Sequence, residues 1–215
     1  MKIQIDSSIH LGKTLDLKYS EEVIKNEPML FGASIDFALN NGGLLTTAFL
    51  SKLSPEFFNS PDLLIDSRSH MLFENMYPCI PGFHLDFIPR TREDGQPSHD
   101  NPKFQPKHCL AILGDCSKTE FAIGKSEFVE PPLNHKVYGE WHKDTLKKLE
   151  SGELQSFVVP EKQLVYFNCW SLHQGVAATH NGWRWFIRAT IGSDRKPKNE
   201  IRKQTQVYLL SVDGW

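Results

Sequence analysis

His84 and Asp86 stand two residues apart in Gly82-Phe83-His84-Leu85-Asp86-Phe87, and their types and spacing suit metal chemistry. On a strand, positions i and i+2 share a face. The imidazole and the carboxylate then point one way, while Phe83, Leu85 and Phe87 point the other. One nitrogen and one oxygen ligand on a rigid element make two thirds of a 2-His-1-carboxylate facial triad, the site type that leaves positions on Fe(II) open for substrate and oxygen. Spacing alone carries little weight. With 9 His and 26 acidic residues in 215, chance supplies about one such pair. A second pair, His142-Lys143-Asp144, opens a stretch over 141–151 that reads as a short helix, with Leu146 and Leu149 three apart and Gly152 as its stop. On a helix, i and i+2 do not share a face, so this pair cannot jointly chelate and reads as a solvated surface.

The third ligand must come from downstream. Leu164 to Trp170 is β-prone and runs into Ser171-Leu172-His173-Gln174-Gly175. A lone histidine at the end of an apolar strand is more often a satisfied core residue, so His173 gains weight only from its neighbours. After a short loop, 183–191 reads as a strand. Trp183, Trp185, Ile187, Ala189 and Ile191 form an apolar face, and Arg184, Phe186, Arg188 and Thr190 form the other. Two arginines on one face of a buried-looking strand need anionic partners, because an unpaired buried charge is costly. A guanidinium also offers the fork that grips a carboxylate in bidentate fashion.

His84-Leu85-Asp86, the distal His173, and Arg184-Trp-Phe-Ile-Arg188-Ala189-Thr190-Ile191 together resemble the Fe(II)/2-oxoglutarate-dependent oxygenases, most closely the taurine dioxygenase-like branch. The resemblance covers roughly residues 70–192. It implies a mainly β fold with flanking helices around a double-stranded β-helix core of jelly-roll, cupin-like type. It also implies a metal set of His84, Asp86 and His173, which are the catalytic residues as well, with Fe(II), 2-oxoglutarate as co-substrate and O2. In that family a Thr ahead of the middle strands helps hold the far carboxylate of 2-oxoglutarate, and Thr119 in Gly114–Phe121 is the matching position. Arg184, with Thr119, is assigned to that distal carboxylate. Arg188 lies a four-residue step further on, about 13 Å by strand rise, and is assigned to the metal-bound carboxylate or to an anionic group on the substrate. A family member with a single Arg at the later spacing would reverse the two arginines. The implied reaction is hydroxylation of a small substrate with release of succinate and CO2, and Arg188 points to a compact anion as that substrate.

Three other readings stay open. Zinc is held by the same ligand types, although it leaves the two arginines unexplained. A cupin-type metalloenzyme would use the metal without 2-oxoglutarate, and a non-catalytic small-molecule-binding barrel would keep the architecture and lose the reaction.

The elements that must position these residues are many short strands with turn signals between them, a pattern of an all-β sandwich or barrel. Strands are expected at 2–5, 15–18, 63–65, 70–73, 82–87, 108–113, 120–123, 157–160 and 164–170, beside 183–191. Residues 21–26 read as a helical turn. Leu45, Ala48, Phe49 and Leu53 fall at helical spacing after the Asn40–Gly43 break, and Ser54-Pro55-Glu56 reads as a cap with a first-turn proline. One domain over 1–215 is expected, with helical support at about 20–60, a β-core at about 63–192 and a C-terminal extension at 193–215. His70 reads as a core or surface histidine, with a place at the mouth of the site as the alternative. The irregular 89–107 stretch reads as a lid or a surface excursion. Its His99 and Asp100 are adjacent rather than alternate and are rejected as a ligand pair. The basic segment 195–203 reads as solvated, and 206–212 as an edge strand.

A net charge of −2 and a pI near 6.5 leave no electrostatic footprint for nucleic acid or an anionic membrane, local basic clusters apart. With 40% apolar residues the chain has a core to bury. No apolar run approaches a membrane span, and Asp6 interrupts the place of a signal peptide. Cys79, Cys109, Cys116 and Cys169 lack metal-knuckle spacing and read as reduced thiols. The expected setting is cytoplasmic, with a small molecule as partner. Oligomeric state is not legible.

Overall fold

The computed structural model describes residues 2–88, 92–93, 98, 105–130 and 137–209. In chain order these form β1 (Lys2–Ser7), β2 (Ile9–Thr14), α1 (Glu21–Asn26), β3 (Met29–Phe31), α2 (Ile35–Asn41), α3 (Leu44–Leu50), α4 (Pro55–Phe58) and β4 (Leu64–Leu72). There follow β5 (Lys107–Leu113), β6 (Thr119–Val129), α5 (Val137–Glu150), β7 (Gln155–Val158), β8 (Gln163–Asn168), β9 (His173–Gly175), β10 (Gly182–Ile191) and β11 (Glu200–Arg202). The protein is mainly β, and the strands pair antiparallel throughout.

A five-stranded sheet runs β2-β8-β5-β10-β4, and a four-stranded sheet runs β1-β6-β7 with β9 also on β6. Their inner faces meet. Leu110 and Ile112 of β5, Val165 and Phe167 of β8, and Phe121 of β6 share one buried cluster, and Phe121 meets Phe167 edge-on at 5.1 Å between ring centroids. The alternate residues of the five-stranded sheet, among them Cys109, Ala111, Leu164, Trp185, Ile187 and Ala189, pack outward on Leu45, Phe49, Leu50 and Phe57 of the helical layer. Strand alternation therefore sorts β10 into an outer face that anchors it and an inner face free to carry charge. Burial of a large apolar side chain stabilises by about 1.5–3 kcal/mol, so the wholly buried Trp185, Ile187 and Ala189 hold the arginine-bearing strand in place. The outer face of the other sheet packs on α5 through Ile3, Ile5, Phe128, Tyr138 and Trp141.

Two local devices set the frame. Buried Glu27 accepts hydrogen bonds from the Gly43, Leu45 and Thr46 amides and the Thr46 hydroxyl, capping α3 with a carboxylate at its positive end. Gly114 turns β5 towards β6 with φ +94. A Cβ there would meet the Trp183 carbonyl oxygen at 2.1 Å, so only glycine lets this turn lie against the start of β10.

Several elements differ from the sequence expectations. β2 lies at 9–14 rather than 15–18. β4 is one strand where two short runs are expected, because Asp66, Arg68 and His70 occupy its inner face and hide the hydrophobic signal. β6 runs past Ile123 to Val129, where it pairs with β1. α2 and β3 are not read from the sequence at all. Within the basic segment, Glu200–Arg202 pairs with β3 rather than standing free in solvent. Of the expected edge strand at 206–212, Tyr208 makes one bridge to Tyr77, and 210–212 lies outside the described residues. So does most of the 89–107 stretch, including His99 and Asp100. The four cysteines are free thiols. No helix among the described residues is long and apolar enough to cross a membrane.

Candidate metal centre

The segment 82–87 is not a regular strand. It makes a single antiparallel bridge in which His84 and His173 exchange backbone hydrogen bonds of 3.0 and 3.1 Å. β9 in turn pairs His173 with Phe121 of β6, so both histidines hang from the four-stranded sheet. Alternation holds from Phe83 to Asp86. Phe83 and Leu85 sink into the cluster against α5, while His84 and Asp86 turn inward. It fails at Phe87, expected on the apolar side. Its backbone is left-handed at φ 62, a conformation that costs a bulky residue about 1–3 kcal/mol. That turn swings the ring under Arg188 and Arg195, with guanidinium carbons 4.6 and 3.9 Å from its centroid.

The second His-x-Asp pair also behaves differently from the reading of a solvated surface. His142 is buried, and its Nδ1 accepts the Phe83 amide at 3.0 Å, with the two rings stacked at 5.9 Å. A histidine in the first turns of α5 thus fixes the residue next to His84. Burial lowers its pKa, with Lys143 adding to the effect, which keeps the ring an acceptor.

His84, Asp86 and His173 bring one potential ligand atom each within 4.8 Å of one another. Asp86 Oδ2 lies 3.3 Å from His173 Nε2, and Oδ1 lies 4.0 Å from His84 Nε2. Each ring sets its Nδ1 at 2.9 Å from a backbone carbonyl two residues upstream, Gly82 for His84 and Ser171 for His173. A carbonyl only accepts, so the proton sits on Nδ1 and the Nε2 lone pairs face Asp86, the orientation that backbone acceptors impose on metal-binding histidines. Burial pushes the His84 pKa down to about 4, and His173 beside it adds to the shift against the pull of Asp86. Burial works against ionisation of Asp86, but the Arg188 guanidinium beside it outweighs burial and holds the carboxyl well below the usual range. Two imidazoles and one carboxylate are a hard-to-borderline donor set of the kind divalent iron takes.

A cavity of about 250 Å³ leads from this triad between the sheets. At its inner end Arg184 is 3% exposed. It donates from Nε to the Ser117 carbonyl at 3.1 Å and from one terminal nitrogen to Thr119 Oγ1 at 2.8 Å. Both acceptors are neutral, and among the described residues no carboxylate pairs with it. Burial lowers its pKa to about 10, which leaves it charged at neutral pH. His70, opposite Arg184 in the β4–β10 register, is 1% exposed, and among the described residues neither ring nitrogen has a hydrogen-bond partner. Burial, with Arg184 and Arg68 nearby, drives its pKa down to about 3. Arg188 is placed otherwise. It forms ion pairs with Asp86 and, at 3.9 Å, with Asp66.

All six residues expected at the site, His84, Asp86, Thr119, His173, Arg184 and Arg188, line this one cavity. Sequence reasoning missed Asp66 and Arg68. The signal was the polar alternation Asp66-Ser67-Arg68-Ser69-His70, which reads as a gap between strands when only apolar residues are counted. It also missed Arg195 and Arg202, which line the same cavity. A larger cavity of about 670 Å³ beside β2 and α4 holds none of the six. No protein-family model and no curated protein matches the chain.

Proposed function

We propose that the protein is a non-haem Fe(II)- and 2-oxoglutarate-dependent oxygenase that hydroxylates a small molecule with release of succinate and CO2. The observation that carries this reading is the pairing of a 2-His-1-carboxylate donor set with an unmatched, buried guanidinium in one cavity. Zinc would accept the same three donors, but a metal alone gives Arg184 no counter-charge. A dicarboxylate that chelates the metal at one end and reaches Arg184 at the other does so. The antiparallel sheets facing each other, with the triad between them, support a double-stranded β-helix of jelly-roll type.

The residues fit both groups. His84, Asp86 and His173 would hold the iron, their Nε2 lone pairs and carboxylate already facing one another. Arg184 and Thr119 would bind the distal carboxylate of 2-oxoglutarate, and His70, orphaned beside them, supplies the polar contact that a buried ligand needs. The bound iron supplies oxygen activation: one O2, 2-oxoglutarate and a substrate C–H become succinate, CO2 and a substrate C–OH. The chain's own share is positioning and electrostatics. The Gly82 and Ser171 carbonyls hold the tautomers, Arg188 orients Asp86, and His142 anchors the segment that bears the first two ligands.

Anaerobic visible spectroscopy tests this reading. Protein titrated with Fe(II) and then 2-oxoglutarate should develop a weak metal-to-ligand charge-transfer band that needs both and is lost in His173→Ala. Bound iron without such a band would support a metalloenzyme that does not use 2-oxoglutarate. Failure to bind iron would end the oxygenase reading.

A further inference from the structure

A second, outer cavity, of about 570 Å³, meets the inner one at His84 and Asp86 and is lined by Arg68, Phe87, Tyr138, Arg195 and Tyr208. The two cavities share His84, Asp86, Cys79, Arg68 and Arg195. Arg184 and Thr119 belong only to the inner one, and Phe87, Tyr138 and Tyr208 only to the outer one. The arginines of the two cavities are unequally matched. Arg188 is engaged by Asp86 and Asp66, so the anion-binding role that the sequence assigns it is met from within the protein. Arg68 projects from β4 between Asp66 and His70, and no carboxylate pairs with it among the described residues. Arg195 is exposed, and its guanidinium carbon sits 3.9 Å from the Phe87 ring centroid. Asp194 stands on the same rim and is exposed.

We infer that the outer cavity binds a small organic anion, with Arg68 and Arg195 receiving its charged group and Phe87, Tyr138 and Tyr208 flanking an apolar or aromatic body. Two guanidiniums beside aromatic faces suit this chemistry. They fork onto a carboxylate, sulfonate or phosphate, while the rings cover carbon without demanding a hydrogen bond. The unusual backbone at Phe87 gains a purpose, since it brings that ring, and the Arg195 guanidinium over it, to the same side of the segment as His84 and Asp86. That the occupant is the substrate rests on the proposed oxygenase reading. The binding itself needs neither metal nor 2-oxoglutarate.

The test is a titration of the metal-free full chain with phenylacetate and phenyl phosphate, with phenylacetamide as the uncharged control, followed by NMR of the aromatic rings. At least one anion should bind at least tenfold more tightly than the amide, and whichever binds better identifies the charged group. Arg195→Gln, at an exposed position where folding is not at stake, and Arg68→Gln should each weaken the anion at least fivefold, while Lys147→Gln, exposed on α5 and outside both cavities, leaves it unchanged. Equal binding of the amide, no binding of either anion, or an equal loss in Lys147→Gln would overturn the inference. If the anion binds as stated and the iron band fails to appear, the subsite stands and the oxygenase reading falls. The reverse result removes only the subsite.

Discussion

Arg184 and Arg188 lie four residues apart on the inner face of one strand, yet the protein treats them in opposite ways. Arg188 is matched from within, between Asp86 and Asp66. Arg184 is more deeply buried and, among the described residues, has only a hydroxyl and a carbonyl as acceptors, next to a histidine with no hydrogen-bond partner among them. A buried charge without a counter-charge is costly in the absence of a ligand, so its persistence marks where a ligand's charge belongs. One end of β10 braces the candidate metal ligands, and the other, on the proposed reading, is kept for the co-substrate.

The largest expected effect separates the two ends by stability. Arg188→Met takes the arginine from Asp86, while Asp66 keeps Arg202 at 3.7 Å, and should destabilise the metal-free protein by about 3 kcal/mol, seen as a lower urea midpoint. Arg184→Met removes an uncompensated charge and should raise that midpoint, while weakening 2-oxoglutarate binding to the Mn(II)-loaded protein about 100-fold, the size expected for a charge-assisted fork. If both substitutions destabilise alike, the contrast between the two arginines is wrong.

Acid sharpens the same contrast. His70 and His84 are held neutral, with pKa values near 3 and 4, while the unfolded chain takes up protons at about 6.5. As pH falls below 6.5 the unfolded state gains protons first, so stability present at neutral pH drains away until the folded values are reached. Each such histidine contributes a slope of about 1.4 kcal/mol per pH unit. His70→Gln should remove one histidine's share between pH 6 and 4.5, measured from urea midpoints, and an unchanged slope would contradict the buried, neutral state of His70. The smallest effect is Thr119→Val, which removes one hydrogen bond to Arg184. It should weaken 2-oxoglutarate about fivefold, near 1 kcal/mol, without altering metal affinity by calorimetry.

The grouping of the candidate residues was more legible in the sequence than the fold around it. His84 with Asp86, and Arg184 with Arg188, could be read because alternation along an extended run assigns faces from residue type alone, while His173 entered through its neighbours and the resemblance. The signal weakened where polar residues point inward. β4 was split in two because its buried face carries Asp66, Arg68 and His70, and hydrophobic periodicity has no symbol for a polar cavity wall. His142 was misread for a related reason. Helical spacing correctly separates it from Asp144, but it cannot reveal that a loop from elsewhere in the chain docks its Phe83 amide on that ring. The pairing of Arg188 with Asp86 and Asp66 is a property of register, which no local pattern encodes.

The most direct test of the central claim is a double-mutant cycle in the ligand and the protein. Calorimetry would compare 2-oxoglutarate with 2-oxovalerate, which lacks the distal carboxylate, on Mn(II)-loaded wild type and Arg184→Gln. If Arg184 awaits that carboxylate, wild type prefers 2-oxoglutarate by about 100-fold and Arg184→Gln binds the two almost equally. Should Arg184→Gln keep the full preference, the distal carboxylate lies elsewhere and the assignment of the buried arginine falls.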